Sequence, residues 1–250
     1  MKVSLINYTG FGHPDPLFAA RLLAYTKATR LEQGDEGFAA FLAMPESEIL
    51  SQVAYVSDTI RSSWEFVDFQ FQITGVTRAF THQFVRTRTA SYAQQTQRMV
   101  DASKMGVVMP ESVAAHPKAK AAWEQGALTM MEAYKEMQKE GIPNQDARGI
   151  LPTNIETSIT AKLNLRTLAD LVGKRQNIRA QGEYAEVAQK MAQLVLGVMP
   201  WAELFLYPPR TQTPALDAAL RALLGDRSPT DVPEIAAALK EVDRLKATWG

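Results

Sequence analysis

The sequence predicts an α+β fold in which helices dominate. Three observations lead there. Apolar residues recur at helical spacing through most of the 250 residues. Runs of period-two or β-branched character are few and scattered. The regular strand–helix–strand alternation that a parallel sheet needs is missing. With 46% hydrophobic and 22% charged residues, the chain can build a core and does not have a disordered composition.

The elements follow in order. "KVSLINY" reads as a first strand, broken by Gly10, Gly12 and Pro14. "DPLFAARLLAYTKATRL" is a helix with Leu17, Ala20, Leu23 and Ala24 at helical spacing and Asp15 or Pro16 near its start. "PESEILSQVAYVSDTI" is a second, entered through Pro45 and acidic residues that suit the positive end of the helix dipole. "WEFVDFQFQI" alternates as an aromatic-rich strand, with Phe66, Asp68 or Phe69, Phe71 and Ile73 in its pattern. After Gly75, "VTRAFTHQFVRTR" has helical periodicity with Val76, Phe80, Phe84 and Val85 toward the core, and ends near Arg88.

The segment "PKAKAAWEQGALTMMEAYKEMQKEGI" is a long amphipathic helix closed by Gly141. Pro143 opens the short helix "NQDARGIL" and Pro152 ends it. "TNIETSITAKL" is β-branched and extended. Helices "LRTLADLVGKR" and "GEYAEVAQKMAQLVLGVM" follow. Pro200, Pro208 and Pro209 end the compact region, so residues 1–209 read as one domain. Residues 210–250 read as an appended tail of two short helices split by a Ser-Pro-rich link.

Composition excludes several chemistries. There is no cysteine, hence no disulfide, thiolate metal site or cysteine nucleophile. Formal net charge is zero, which argues against a non-specific nucleic-acid binder; any strong positive field is local. No apolar run approaches the ~20 residues of a membrane span. The N-terminus lacks a signal peptide's apolar core, so the expected location is cytoplasmic. Gly10-x-Gly12 has no third glycine at dinucleotide spacing, and no P-loop is present. His13, His82 and His116 are too far apart to read as a metal site, and no Gly-x-Ser-x-Gly elbow marks a serine nucleophile.

The most informative stretch is "HQFVRTRTASYAQQTQRM", His82 to Met99. It holds three arginines and four glutamines and no carboxylate. On the preceding helix Gln83 and Arg86 share a face, whereas Arg86 and Arg88 diverge by about 200°. Either the helix ends there or the two guanidinium groups serve different ligands. "TASYAQQTQR" has no clear periodicity and reads as a hydrogen-bonding loop. Arginine forks match phosphate and carboxylate oxygens, and glutamine and threonine read the edge of a small planar molecule. An anionic ligand is the natural complement. The plainer alternative is a solvated basic loop, or one paired with acids such as Glu65 or Asp68. A second cluster, Arg166, Lys174, Arg175 and Arg179 with Asn164, Asn177 and Gln181, favours one anion-rich site assembled from distant segments or across subunits.

The stretch resembles the pattern of the flavin-dependent thymidylate synthases: Arg-His-Arg, seven residues, Ser, and a further Arg two residues on. Arg86, Arg88 and Arg98 match; Thr87 stands in place of His and Thr96 in place of Ser. "SSWEFVDFQFQI" is similar to the family's upstream segment, with Glu65 matching an acid. "ARGILPTNIETS" matches Arg148 and Asn154, and "NLRTLADLVGKRQNIRAQGEY" matches Asn164, Arg166, Arg175, Gln181 and Glu183. The resemblance runs over roughly residues 45–207, including "MPWAELFL".

It implies a small central antiparallel sheet packed with long helices, and a homotetramer with sites at subunit junctions. It implies FAD, NADPH and 5,10-methylenetetrahydrofolate as cofactors and dUMP as substrate, methylated at C5 without a protein nucleophile. Gln83, Thr96, Gln97, Arg98, Arg148 and Arg175 would hold the nucleotide, with Arg175 polarising a pyrimidine carbonyl as the catalytic group. Ser62, Arg86, Thr87, Arg88, Asn164 and Arg179 would face FAD. Gln94 replaces an acid; an amide can donate as well as accept, so it becomes the residue expected to set which pyrimidine is read. Arg179 replaces a histidine, and Met99 a tyrosine. Two other functions remain open on the sequence: a same-fold flavoenzyme that methylates or hydroxymethylates another pyrimidine such as dCMP, and a non-catalytic nucleotide- or RNA-binding protein.

Overall fold

The structure, a computed structural model, describes residues 1–28, 37–175, 182–225, 227–228 and 231–248. Among the described residues four strands form one antiparallel sheet, β1 (Lys2–Tyr8), β2 (Asp68–Thr77), β3 (Ala90–Gln94) and β4 (Glu156–Asn164), in the order β1-β2-β4-β3. The helices are α1 (Phe18–Ala28), α2 (Phe38–Ala43), α3 (Glu46–Thr59), α4 (Arg78–Phe84), α5 (Glu111–Ala114), α6 (Pro117–Lys139), α7 (Asn144–Ala147), α8 (Leu165–Arg175), α9 (Gly182–Val198), α10 (Glu203–Leu206), α11 (Pro209–Leu224) and α12 (Pro233–Thr248). The α+β architecture with a small antiparallel sheet is the one expected. No helix among the described residues is long and apolar enough to cross a membrane.

The sheet's buried face explains its register. Phe69, Phe71 and Ile73 of β2 stand opposite Leu163, Ala161 and Ile159 of β4, and all six are buried. A one-residue slip would turn every one of them to the other face. The alternation starts at buried Val67; Phe66, included in the sequence pattern, lies in a 3-10 turn (Ser63–Phe66) and is 57% exposed. Against this face pack α1, α3, α8 and α9 through residues such as Leu23, Val53, Leu168 and Met191.

Two expectations about the arginine stretch need correction. Gly75 does not separate strand from helix. It sits inside β2 with φ +67, at a register shift between Thr74 and Val76. A Cβ there would lie 3.1 Å from the Met1 nitrogen, so both conformation and close approach call for glycine. The helix is therefore shorter, Arg78–Phe84, and Val85 is exposed rather than in the core. Nor is the segment after Arg88 a loop throughout: Ala90–Gln94 is the edge strand β3, paired with Ile159–Leu163.

A second, smaller core joins Ala102, Tyr134, Ala147 and Ile155, with Met131 and Met137 of α6 against it. It ties α6 to the segments that flank Arg98, Arg148 and Asn154. Helices α11 and α12 pack on each other, burying Leu224, Leu239 and Val242.

Candidate active site

Helix α4 and the turn after it set the site. Thr77 caps α4: its hydroxyl accepts the Phe80 N–H at 2.9 Å and donates to Glu183 of α9 at 2.5 Å. The other Glu183 oxygen accepts the Thr77 N–H at 2.9 Å. Phe80 and Phe84 then anchor the helix in the core, stacked at 5.1 Å, each burial contributing roughly 2–3 kcal/mol. The helix stops at Phe84, two residues before Arg86. The Tyr92 hydroxyl closes the turn, lying 2.9 Å from the Phe84 carbonyl and 3.0 Å from that of Thr87. Burial is the main cause that pushes the Tyr92 phenol up to about 12, so it stays a neutral donor.

Because the helix ends early, the divergence expected of Arg86 and Arg88 on a continuous helix does not arise. Both border one open cleft of about 620 Å³, together with Gln83, Thr87, Thr89, Lys174 and Arg175. No carboxylate lines it. The acids suspected from sequence are engaged elsewhere: Glu65 pairs with Arg166 at 2.6 Å and Asp68 with Lys162 at 3.1 Å; Asp170 of α8 pairs with Arg61. Among the described residues no acid pairs with Arg86, Arg88 or Arg175. Arg175 instead lies over the Tyr184 ring, its guanidinium carbon 3.7 Å from the centroid.

A second cationic group forms at the other end of β3. Arg98 donates to the Gln145 side chain at 3.4 Å, and Arg148 to the Gln145 backbone carbonyl at 3.2 Å. Arg78, first residue of α4, joins them: burial, then the charge of Arg148, lowers its pKa below the ordinary guanidinium value. Like charges held close, with no acid paired to them among the described residues, fit a multiply charged anion. Beside them Thr96 accepts the Arg98 N–H at 3.1 Å, and Gln97 is 8% exposed with its amide nitrogen unpartnered.

Gln94, at the end of β3, is tied to α4. Its amide nitrogen lies 2.7 Å from the Thr81 hydroxyl, and that hydroxyl donates to the Arg78 carbonyl at 3.1 Å. The hydroxyl has one proton, so it must accept from Gln94. That commits the amide nitrogen to Thr81 and leaves the carbonyl oxygen as the end that can accept, like the acid it replaces.

The structure thus brings Gln83, Arg86, Thr87, Arg88 and Arg175 together, and Thr96, Gln97, Arg98 and Arg148 into a separate group. Ser62 does not line the arginine cleft; it starts the 3-10 turn whose neighbours Arg61 and Trp64 border another cleft with Lys174. Asn164 accepts the Thr167 N–H at 2.9 Å at the start of α8. Arg179, Asn177 and Gln181 lie outside the described residues. Sequence reasoning missed Arg78 and Tyr92. Arg78 had a local signal, since a cation at a helix N-terminus opposes the dipole. Tyr92 had none, because its partners lie across a turn whose shape depends on β3 pairing.

An antiparallel sheet carrying two groups of arginines without carboxylate partners defines a scaffold for anionic ligands. Comparison with known proteins makes the class specific. The family model described as thymidylate synthase complementing protein matches residues 4–201. The chain is 36% identical to the flavin-dependent thymidylate synthase of Geobacter sulfurreducens over 207 residues, 80% of this chain and 84% of the relative. It is 37% identical to that of Pyrococcus abyssi over 215 residues, 82% and 85% of the two chains. It is 37% identical to that of Nitratidesulfovibrio vulgaris over 174 residues, 65% and 70%. The chain belongs to the flavin-dependent thymidylate synthase family, a family of enzymes. The match reaches back to residue 4, so β1 and α1, outside the span recognised by motif, lie within the matched region.

Proposed function

We propose that this enzyme methylates dUMP at C5 to give dTMP, taking the carbon from 5,10-methylenetetrahydrofolate and using FAD reduced by NADPH. The observation that carries the reading is the pair of carboxylate-free cationic groups at the two ends of β3, in a chain without cysteine. When bound, reduced FAD would supply a hydride and return to FAD, and the folate would give up its methylene and leave as tetrahydrofolate; with loss of the C5 proton these make the methyl group.

The chain's own residues bind and polarise. Arg86, Thr87 and Arg88 offer forks and a hydroxyl suited to the phosphates and ring edge of FAD, with Arg179, Ser62 and Asn164 as further FAD contacts. Arg78, Arg98 and Arg148 suit the nucleotide phosphate, with Thr96 and Gln97 beside them. Gln83 and Arg175 face the pyrimidine, where Arg175 stabilises negative charge that develops on a carbonyl. With its amide nitrogen held by Thr81, Gln94 offers an acceptor that suits the N3–H of uracil rather than the bare N3 of cytosine, which favours dUMP over dCMP. The two groups flank β3 from opposite ends, and a homotetramer whose subunits complete each other's sites accounts for that arrangement. Residues 210–250, beyond the matched span, are an appended tail in this reading.

The test is turnover. Purified protein should be yellow, should bleach on NADPH addition, and should release tritium from 5-labelled dUMP while mass spectrometry shows dTMP. Gln94→Glu should keep the preference for dUMP over dCMP. Colourless protein that takes up no FAD, or a product from dCMP alone, would overturn the proposal.

A further inference from the structure

Arg175 ends α8 and borders three spaces: the 620 Å³ arginine cleft, a cleft of about 490 Å³ with Val172, Ala188 and Tyr207, and a cavity of about 100 Å³ with Thr87, Thr89 and Thr167. A long side chain at such a junction loses considerable rotamer freedom if it is to act in one place, on the order of 2 kcal/mol. Something must hold it. A carboxylate would do so but would also neutralise the charge, and none does so among the described residues.

The holding group is aromatic. The guanidinium carbon stands 3.7 Å from the centroid of Tyr184, in the range of a stacked cation–π contact. The ring itself cannot swing. Tyr184 is 1% exposed and is gripped edge-on by Phe80 at 5.2 Å and 86°, and by Phe84 at 5.8 Å and 88°. These two phenylalanines anchor α4, and Phe84 is the residue whose carbonyl meets the Tyr92 hydroxyl. One aromatic assembly therefore sets both walls of the cleft, the Arg86–Arg88 turn on one side and Arg175 on the other.

We infer that Tyr184 is the positioning residue for Arg175: its buried ring face holds the guanidinium at the junction of the clefts while leaving its positive charge available to a ligand. The inference rests on the role proposed above for Arg175. A lysine could not substitute, because the contact uses the flat, weakly hydrated guanidinium face. The ring works through Arg175 and need not touch substrate.

The test keeps the full chain loaded with FAD and varies only the ring's electrostatics. Position 184 is changed to Phe and then to mono-, di- and trifluorinated Phe, which nearly preserve volume while weakening the negative ring face. Tyr184→Phe should keep kcat for dTMP formation within about twofold, and kcat should then fall stepwise to about tenfold at three fluorines. KM for dUMP should move less, since Arg175 acts mainly on charge developed in the transition state. The flavin absorbance should not change. As a second readout, the Arg175 Nε–H resonance in arginine-labelled protein, assigned by its loss in Arg175→Lys, should be shifted upfield by the ring and should return to the ordinary range in Tyr184→Leu. A flat fluorine series with wild-type turnover intact, or an Arg175 resonance indifferent to Tyr184→Leu, overturns the role of Tyr184 alone. Failure of the wild-type protein to form dTMP overturns the functional reading, and this inference with it.

Discussion

Arginines at two ends of the molecule are treated in opposite ways. At the α1–α2 end, Arg21 is 9% exposed and its charge is paired: it donates to Asp15 at 2.5 Å, to the Phe41 carbonyl at 2.7 Å and to the Met44 carbonyl at 2.6 Å. Around β3, Arg78, Arg86, Arg88, Arg98, Arg148 and Arg175 have no carboxylate partner among the described residues. The first arrangement closes its charge inside the protein and so builds the fold. The second leaves charge open, at some cost in repulsion, and makes sense only with an anion to receive it. The same residue type is structural or functional according to whether its charge is compensated internally.

The comparison can be broken or sharpened by substitution. The largest effect belongs to Arg175: Arg175→Ala should lower kcat for dTMP formation by about 10²–10³-fold, the scale of losing one donor to a developing oxyanion, while costing stability only the roughly 1–2 kcal/mol of its contact with Tyr184. Arg21→Ala should do the reverse. Loss of a buried charge partner should destabilise by roughly 3 kcal/mol in denaturant titration and leave kcat unaltered. The Arg21 site also has a pH signature. Burial raises the Asp15 pKa, but the Leu17 N–H, the Arg21 hydrogen bond and the Arg21 charge outweigh it and hold the carboxyl below its ordinary 3.8. Its folded value being depressed, the stabilisation is present above pH 3.8 and is lost as pH falls through the lower folded value. Acid melts of Arg21→Ala should lack much of that phase.

Arg148→Ala should come next, raising KM for dUMP by about 10–100-fold with a smaller change in kcat, as expected for a charge-assisted bond made equally in ground and transition states. Tyr92→Phe should cost about 1 kcal/mol through loss of the hydroxyl that meets the Phe84 and Thr87 carbonyls. Because the Tyr92 pKa is raised from 10.0 to about 12, its contribution is full below pH 10 and is lost as pH rises toward 12. Alkaline melts of wild type and Tyr92→Phe should therefore converge there. The smallest effect should be Lys162→Ala, which breaks a half-exposed pair with Asp68 and should shift stability by less than about 0.5 kcal/mol.

The contrast also marks what a sequence can reveal. Helices α3, α6, α8 and α9 were legible because each carries its own apolar stripe. The arginine cleft was legible as chemistry, since Arg86, Thr87 and Arg88 are adjacent in the chain. The edge strand β3 was not. Its residues are small or polar, Ser91 and Ala93 face solvent, and it becomes a strand only by pairing with β4 some seventy residues later. The bulge at Gly75 was likewise hidden, because a glycine reads as a break unless the neighbouring strands are known. The grouping of Arg78 with Arg98 and Arg148 depends on both of these features.

The most direct measurement is calorimetric titration of the FAD-loaded protein with dUMP and, separately, with deoxyuridine. If the open arginines exist to receive an anion, dUMP binds at one site per chain and deoxyuridine binds about 100-fold more weakly or worse. The difference should shrink in Arg148→Ala and persist in Arg21→Ala. Equal affinities for the two ligands, or a phosphate preference untouched by Arg148→Ala, would contradict the account.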